Sequence, residues 1–150
     1  RPGLMLYGVS PLINSCGHDH GLKSVMTLES EIISIQYLSK GESVGYGATW
    51  RCPENMPVGI IAAGYGDGFP RHAKSGTPIL VNNIRCPLIG RASMDMLTID
   101  LRNQSNAKIG DRVVLWGGSL PIEEIALHAE TIPYELLCGV HKRLQFVECN

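Results

Sequence analysis

The sequence predicts a mainly β protein, an antiparallel Greek-key-like barrel with two short helices near the C-terminus. Short apolar segments, several with period-two alternation, recur between turns rich in Gly, Asn and Asp up to about residue 118. Helical spacing appears only after that point. Aromatic residues make up only 6% of the 150 residues, so aliphatic side chains must build most of the core.

The first long strand is predicted over residues 25–38. The apolar residues change parity within this run, from Met26, Leu28 and Ile32 to Ile33, Ile35 and Tyr37. Such a phase change is typical of a β-bulge or a sharp bend, either of which helps a sheet to curl into a barrel. Residues 1–24 are predicted to be mostly loop, with a brief strand in L-M-L-Y.

Turn signals separate the strands that follow. K-G-E at 40–42 marks a turn, and a glycine-loosened segment, V-G-Y-G-A-T-W, leads to a short apolar strand over 57–63. Asn82–Asn83 tolerates positive φ and predicts a hairpin between P-I-L-V and I-R-C-P-L-I. Alternation over 97–101 predicts another strand, and a Gly-Asp turn introduces the strand in I-G-D-R-V-V-L-W.

Two helices and a closing strand are predicted at the end of the chain. Residues 121–129 combine helical spacing with Glu123 and Glu124 in the first turn, and Thr131 and Pro133 begin a second short helix. L-Q-F-V-E at 144–148 predicts a final strand. Because no repeat or internal linker is visible, residues 1–150 are predicted to form one domain.

Composition excludes several classes of protein. A net charge of −1 gives no basic surface for nucleic acid, and the apolar runs are shorter than the ~18 residues that a membrane span needs. The chain has no signal-peptide pattern. An odd number of scattered cysteines without a C-x-x-C argues against a disulfide framework or a zinc ribbon, and it favours the cytoplasm. These cysteines are Cys16, Cys52, Cys86, Cys138 and Cys149.

The strongest candidate for chemistry is A-G-Y-G-D-G-F-P-R, residues 63–71. No G-x-S-x-G, Walker or H-E-x-x-H signature is present. Glycines on both sides of Tyr65 allow an unusual backbone path and let another molecule approach the phenol. A phenol that acts as acid or base needs cations or hydrogen bonds to lower a pKa that is ordinarily about 10. The alternative is a strand-ending turn with a surface tyrosine.

Other residues have weaker signals. Tyr46 also lies between glycines, Arg91 and Met94 lie in G-R-A-S-M-D-M, and Tyr134 begins a helix, where an anion is held favourably. Met94 has the alternative of filling the core, and Tyr134 that of half-buried packing. The H-D-H cluster at 18–20 has two imidazoles but no supporting ligand set, so a solvated loop is predicted there.

Five ordered stretches together resemble bacterial alanine racemases. They are R-P-G-L-M-L-Y-G-V-S-P, V-G-Y-G-A-T-W, A-A-G-Y-G-D-G-F-P-R, V-N-N-I-R-C-P-L-I-G-R-A-S-M-D-M and T-I-P-Y-E-L-L. The resemblance covers nearly the whole chain, but only the C-terminal β domain of that family. It implies that residues 1–24 are the tail of an N-terminal (β/α)₈ barrel and a linker. A start at R-P-G without Met agrees with a piece of a longer protein.

The resemblance implies a pyridoxal 5′-phosphate (PLP) enzyme that interconverts L-alanine and D-alanine. Its site would combine one subunit's barrel with the other subunit's C-terminal domain in a homodimer. Tyr65 matches the base for L-alanine, acting across the dimer, and a lysine that carries the cofactor would serve D-alanine. Met94 matches a substrate-carboxylate contact, and Arg91 resembles a residue at the substrate entrance.

The cofactor residues also follow from the resemblance. Arg1 matches the arginine at the pyridine nitrogen, Gly3 and Leu4 match backbone donors to the phosphate, and Tyr134 matches a hydroxyl donor to it. The cofactor lysine belongs to the N-terminal barrel, so the 150-residue chain alone is expected neither to hold PLP covalently nor to racemise alanine.

The expected role is supply of D-alanine for peptidoglycan, and three alternatives stay open. Two share the chemistry: a broad-specificity amino-acid racemase and the β domain of a PLP decarboxylase. The third is a non-enzymatic β-barrel interaction module. A racemase domain predicts that Tyr65, Met94 and Tyr134 come to one edge of the barrel beside an exposed apolar face.

Overall fold

Short strands and two helices make up the regular structure of this chain in a computed structural model, which describes residues 1–148. The strands are β1 Leu28–Leu38, β2 Ser43–Val44, β3 Trp50–Arg51, β4 Met56–Ile61, β5 Pro78–Val81, β6 Ile84–Pro87, β7 Leu97–Asp100 and β8 Arg112–Trp116. The helices are α1 Ile122–His128 and α2 Pro133–Cys138. Every strand predicted between residues 25 and 118, and both helices, are confirmed.

Six of the strands form a nearly closed antiparallel barrel. Their order is β6-β5-β8-β1-β4-β7. The first and last strands of this order, β6 and β7, come together just after the end of β6. There Leu88 forms a β-bridge with Ile99, and the Ile89 N–H donates to the Thr98 carbonyl at 2.9 Å. Neighbours that are distant in sequence, such as β8 and β1, give the Greek-key-like character. The predicted fold class is therefore confirmed.

The parity change in the first strand is confirmed as irregular pairing. β1 pairs with β8 through residues 28–31 and with β4 through residues 32–38. The register shifts between Leu28 and Glu29 and again between Ile32 and Ser34. Each shift bends the strand, which lets one strand belong to two walls of the barrel.

The predicted hairpin is also confirmed. Asn82 and Asn83 have φ values of 49° and 66° between β5 and β6. Positive φ at both central residues matches the twist of the flanking strands, and asparagine adopts it more readily than most residues.

Aliphatic side chains fill the barrel and continue beneath the helices. Ile32, Ile61 and Leu115 are fully buried, and Ile125 of α1 and Leu136 of α2 pack on the same cluster. The helices therefore cover a continuous core, because their apolar faces have no other partner. Among residues 1–148, no helix is long and apolar enough to cross a membrane.

Two predicted strands are wrong. L-M-L-Y belongs to a 3₁₀ helix, Gly3–Tyr7, in which only Leu4 is buried. L-Q-F-V-E lies outside any strand, with Phe146 and Val147 exposed. A strand needs a partner strand with free N–H and C=O groups, and within the described residues this segment pairs with none.

The cysteines do not form disulfides in the part of the chain that the structure describes. Cys16, Cys52, Cys86 and Cys138 all have free thiols, and Cys149 lies outside the described residues. Burial raises the pKa of the Cys86 thiol to about 11.

Candidate functional site

Tyr65 lies on a short 3₁₀ turn, Tyr65–Asp67, that follows β4. One carboxylate oxygen of Asp67, which is buried, accepts from the Gly64 N–H at 2.9 Å. Phe69, only 1% exposed, anchors the chain where it leaves the turn. The phenol of Tyr65 is 40% exposed, so a firmly held turn presents it to solvent.

A second turn, residues 93–96, packs directly against the Tyr65 turn. The Tyr65 N–H donates to the Ser93 carbonyl at 3.0 Å, and the Gly66 N–H donates to the Met94 carbonyl at 2.9 Å. A Cβ at Gly64 would lie 2.3 Å from the Met94 carbonyl oxygen, and one at Gly66 would lie 3.0 Å from it. The glycines beside Tyr65 are thus explained first by this close packing, which spacing along the chain did not reveal.

Arg143 joins the same two turns from the outside. Its Nε lies 3.0 Å from Asp67 Oδ1, and its Nη2 binds Asp95, the residue after Met94. The hydrogen bond to Asp95, aided by the charge of Asp67, raises the pKa of the Arg143 guanidinium above its ordinary value. No motif connects residues 67, 95 and 143, so no local pattern in the sequence predicts this group.

One cationic side chain, that of Arg71, lies beside the Tyr65 phenol. The Arg71 guanidinium carbon is 5.8 Å from the centre of the Tyr65 ring, in the range of a cation–π contact. Arg71 and Arg91 line one surface groove of about 400 Å³. Neither makes an ion pair within residues 1–148, whereas Lys74 in the same groove pairs with Glu130. The groove therefore carries uncompensated positive charge that suits a small anion.

Tyr46 follows a glycine that packs against the Arg91 loop. Gly45 packs so closely on the Arg91 loop that a Cβ there would lie 2.8 Å from the Arg91 nitrogen. The following Tyr46 is 69% exposed. The structure thus places the glycine before the second glycine-flanked tyrosine against the Arg91 loop.

The residues expected to hold a cofactor phosphate form a second group. A Cβ built on Gly3 would lie 3.4 Å from the Tyr134 hydroxyl oxygen, so the start of the chain packs against the start of α2. Within residues 1–148, neither the Gly3 nor the Leu4 N–H donates a hydrogen bond. Arg1 is exposed two residues before Gly3.

Glu123 holds the segment that follows Gly3 and Leu4. Its Oε1 accepts from the Ser10 N–H and the Gly17 N–H, both at 2.9 Å. These bonds tie residues 8–17 to the first turn of α1. The sequence pattern predicts only that Glu123 stabilises the helix, and no local pattern predicts this contact.

The two groups lie at the two ends of α2. Tyr134 is in its first turn, and Gly139 at its end packs against Gly68, where a Cβ would lie 2.7 Å from the Gly139 carbonyl oxygen. Met94 and Tyr134 are each 50% exposed, so Met94 does not fill the core.

The H-D-H cluster lies in a 3₁₀ segment, Gly17–His20, and both of its imidazoles are exposed. No group of three metal ligands occurs among residues 1–148.

Comparisons with known proteins agree on one family. Residues 25–148 match the family model described as alanine racemase, C-terminal domain. The alanine racemase of Nitrosococcus oceani is 62% identical over 144 residues, which are 96% of this chain and 40% of that protein. The alanine racemase of Piscirickettsia salmonis is 56% identical over 98% of this chain and 89% of its own length.

Solved structures give the same result. The biosynthetic alanine racemase from Pseudomonas aeruginosa superposes with a TM-score of 0.93 at 46% identity, covering 95% of this chain and 40% of that one. The alanine racemase from Acinetobacter baumannii has a TM-score of 0.89 at 41% identity over 94% of this chain and 39% of its own. The chain thus spans about two fifths of the Nitrosococcus and Pseudomonas proteins. It belongs to the alanine racemase family and matches the C-terminal domain of that family.

Proposed function

We propose that this chain is the catalytic β domain of an enzyme that interconverts L-alanine and D-alanine with PLP. The full-length enzyme in this proposal is the chain joined to an N-terminal (β/α)₈ barrel, with residues 1–24 as tail and linker and the rest as a single β domain. One observation carries the proposal: the exposed phenol of Tyr65 lies on a turn bonded directly to the turn of Met94.

Tyr65 acts as the base for L-alanine. In its deprotonated form the Tyr65 oxygen takes the Cα proton on one face, and a protonated group outside this chain gives a proton to the opposite face, so one C–H bond breaks and one forms. When bound, PLP withdraws electrons from Cα and makes that proton acidic. The buried Asp67 and the bonds to residues 93 and 94 fix the backbone of Tyr65, as a positioned base requires.

The turn at residues 93–96 and the groove lined by Arg71 and Arg91 recognise the substrate. The exposed Met94 provides backbone contact to the carboxylate of alanine. Arg91 lines the entrance, and together with Arg71 it gives the groove the charge that attracts an amino acid's carboxylate.

Groups at the start of the chain can donate hydrogen bonds to the phosphate of the cofactor. The Gly3 and Leu4 N–H groups have no partner among residues 1–148, and the Tyr134 hydroxyl lies beside them. Gly3 has φ of +49° and leaves space at the hydroxyl that a larger residue would fill. Arg1 would contact the pyridine nitrogen.

A homodimer completes the site in this proposal, with the barrel of the second copy covering Tyr65. Several apolar side chains around the site are exposed, as at protein–protein interfaces. They are Tyr46, Met94, Met96, Ile132 and Tyr134, with exposures between 48% and 69%. The free thiols fit a cytoplasmic enzyme, and the product serves peptidoglycan synthesis.

An activity assay tests the proposal and its alternatives. Purified full-length enzyme with PLP is offered L-alanine, L-serine, L-lysine and L-arginine, and the products are separated by chiral chromatography. We expect D-alanine as the main product. Equal racemisation of the larger substrates indicates a broad-specificity racemase, and release of carbon dioxide indicates a decarboxylase. No reaction with any substrate overturns the proposal in favour of an interaction module.

The Tyr134→Phe variant tests the phosphate site. Loss of one hydroxyl donor to a charged acceptor is expected to weaken PLP binding about 10- to 150-fold, because such a hydrogen bond contributes about 1.5–3 kcal/mol. The measurement is a fluorescence titration of apo full-length enzyme with PLP. Tyr37→Phe, on the outer surface of β1, is the matched control. Equal affinity in the Tyr134→Phe enzyme would remove this residue from the phosphate site.

A further inference from the structure

We infer that Arg143 is a positioning residue, which fixes Tyr65 relative to Met94 by bridging the turns that carry them. This inference rests on the proposed function, because it concerns the same proton transfer. The group is named here the Arg143 bridge and consists of Arg143, Asp67 and Asp95.

The bridge reaches both turns through different atoms of one rigid group. The guanidinium Nε contacts Asp67 at 3.0 Å, and Nη2 contacts Asp95. A Cβ at Gly66 would lie 2.6 Å from Nη1, so the guanidinium also covers the backbone of the residue after Tyr65. A planar fork with donors at fixed angles sets the spacing of two carboxylates, which a flexible ammonium does not.

Each carboxylate is itself attached to the residue that it positions. One oxygen of Asp67 accepts from the Gly64 N–H in its own turn. A displacement of the other oxygen, which contacts Arg143, therefore shifts the backbone of the Tyr65 turn. Asp95 follows Met94 directly. The guanidinium therefore connects the proposed base to the proposed carboxylate contact by a path separate from the two backbone hydrogen bonds.

Geometry is the larger effect of this bridge. The Arg143 side chain is 42% exposed and that of Asp95 57%, so water screens their attraction. Ion pairs of this kind contribute little to stability. A displacement of about 1 Å between a base and its substrate, in contrast, lowers the rate by about 10²-fold.

The test is Arg143→Met in the full-length enzyme. We expect kcat to fall about 10- to 100-fold, with a Tm close to that of the wild type. The Cα-deuterium isotope effect should increase when L-alanine is the substrate and change little with D-alanine, because the turn of Tyr65 moves whereas the base for D-alanine lies outside this chain. Arg143→Lys should restore part of the rate, since its ammonium reaches one carboxylate at a time.

Arg102→Met provides the matched control. Arg102 likewise bridges two carboxylates, Asp100 and Glu54, but neither belongs to the site. Asp100 is buried, so this variant should lose at least as much thermal stability as Arg143→Met while keeping its kcat. A general loss of stability would lower the rate of both variants.

Asp95→Asn tests the bridge without disturbing the buried Asp67. Its kcat should also fall, and the double variant Arg143→Met/Asp95→Asn should be no slower than Arg143→Met, because both changes break one connection. An active wild type with unchanged kcat and isotope effects in Arg143→Met overturns this inference alone. A wild type that racemises nothing overturns the proposed function, and the inference with it.

Discussion

Replacing Tyr65 by Phe in the full-length enzyme is expected to lower the rate of proton removal from L-alanine by about 10²–10⁴-fold, the usual contribution of a positioned acid or base. The change removes only the hydroxyl, and the ring, the Arg71 contact and the backbone bonds of the turn all remain. Binding of PLP should be unaffected, because Tyr65 lies apart from Gly3 and Tyr134 in this proposal.

The measurement is exchange of the Cα proton with deuterated water, followed separately for each enantiomer. Overall racemisation in the two directions is tied together by the equilibrium constant, so exchange is the sharper readout. We expect exchange from L-alanine to fall much more than exchange from D-alanine. Tyr37→Phe, on a tyrosine that is 78% exposed elsewhere on the barrel, should leave both rates unchanged. Equal rates for the two enantiomers in Tyr65→Phe would assign the base to another residue.

Gly64→Ala is expected to cost about 3 kcal/mol of unfolding free energy, at the upper end of the range for overpacking. Its Cβ would lie 2.3 Å from the Met94 carbonyl oxygen and 2.4 Å from the Ser93 carbonyl oxygen. Neither of these backbone atoms moves easily. The two turns must separate, so the full-length variant should also lose most of its activity.

Gly76→Ala is the control for this variant, and urea unfolding of the 150-residue chain is the measurement. Gly76 has φ of +99° but nothing within 4 Å of a built Cβ. Only backbone strain remains there, about 1–2 kcal/mol, and it is partly offset by the lower entropy of the unfolded alanine chain. Equal losses in the two variants would show that the close packing at Gly64 has no special cost.

Local patterns along the chain predicted most of the barrel. The strands and the Asn82–Asn83 hairpin were predictable because alternation and turn chemistry act over a few residues. The bulge in β1 was visible as a parity change for the same reason. Residues 144–148 have a strand-like composition, but whether a strand forms depends on pairing with a neighbour. The structure leaves this segment unpaired, with Phe146 and Val147 exposed.

For the site, sequence alone named Tyr65, Met94 and Tyr134, because each lies in a short motif with its own signal. It also determined the family resemblance and the expected chemistry. Only the tertiary structure decided that the glycines beside Tyr65 make room for the Met94 turn and that Arg143 ties the two turns together. These contacts join residues separated by 28 to 76 positions, here Gly66 to Met94 and Asp67 to Arg143. No local pattern encodes such pairs, because they form only when the nearly closed barrel brings distant turns together.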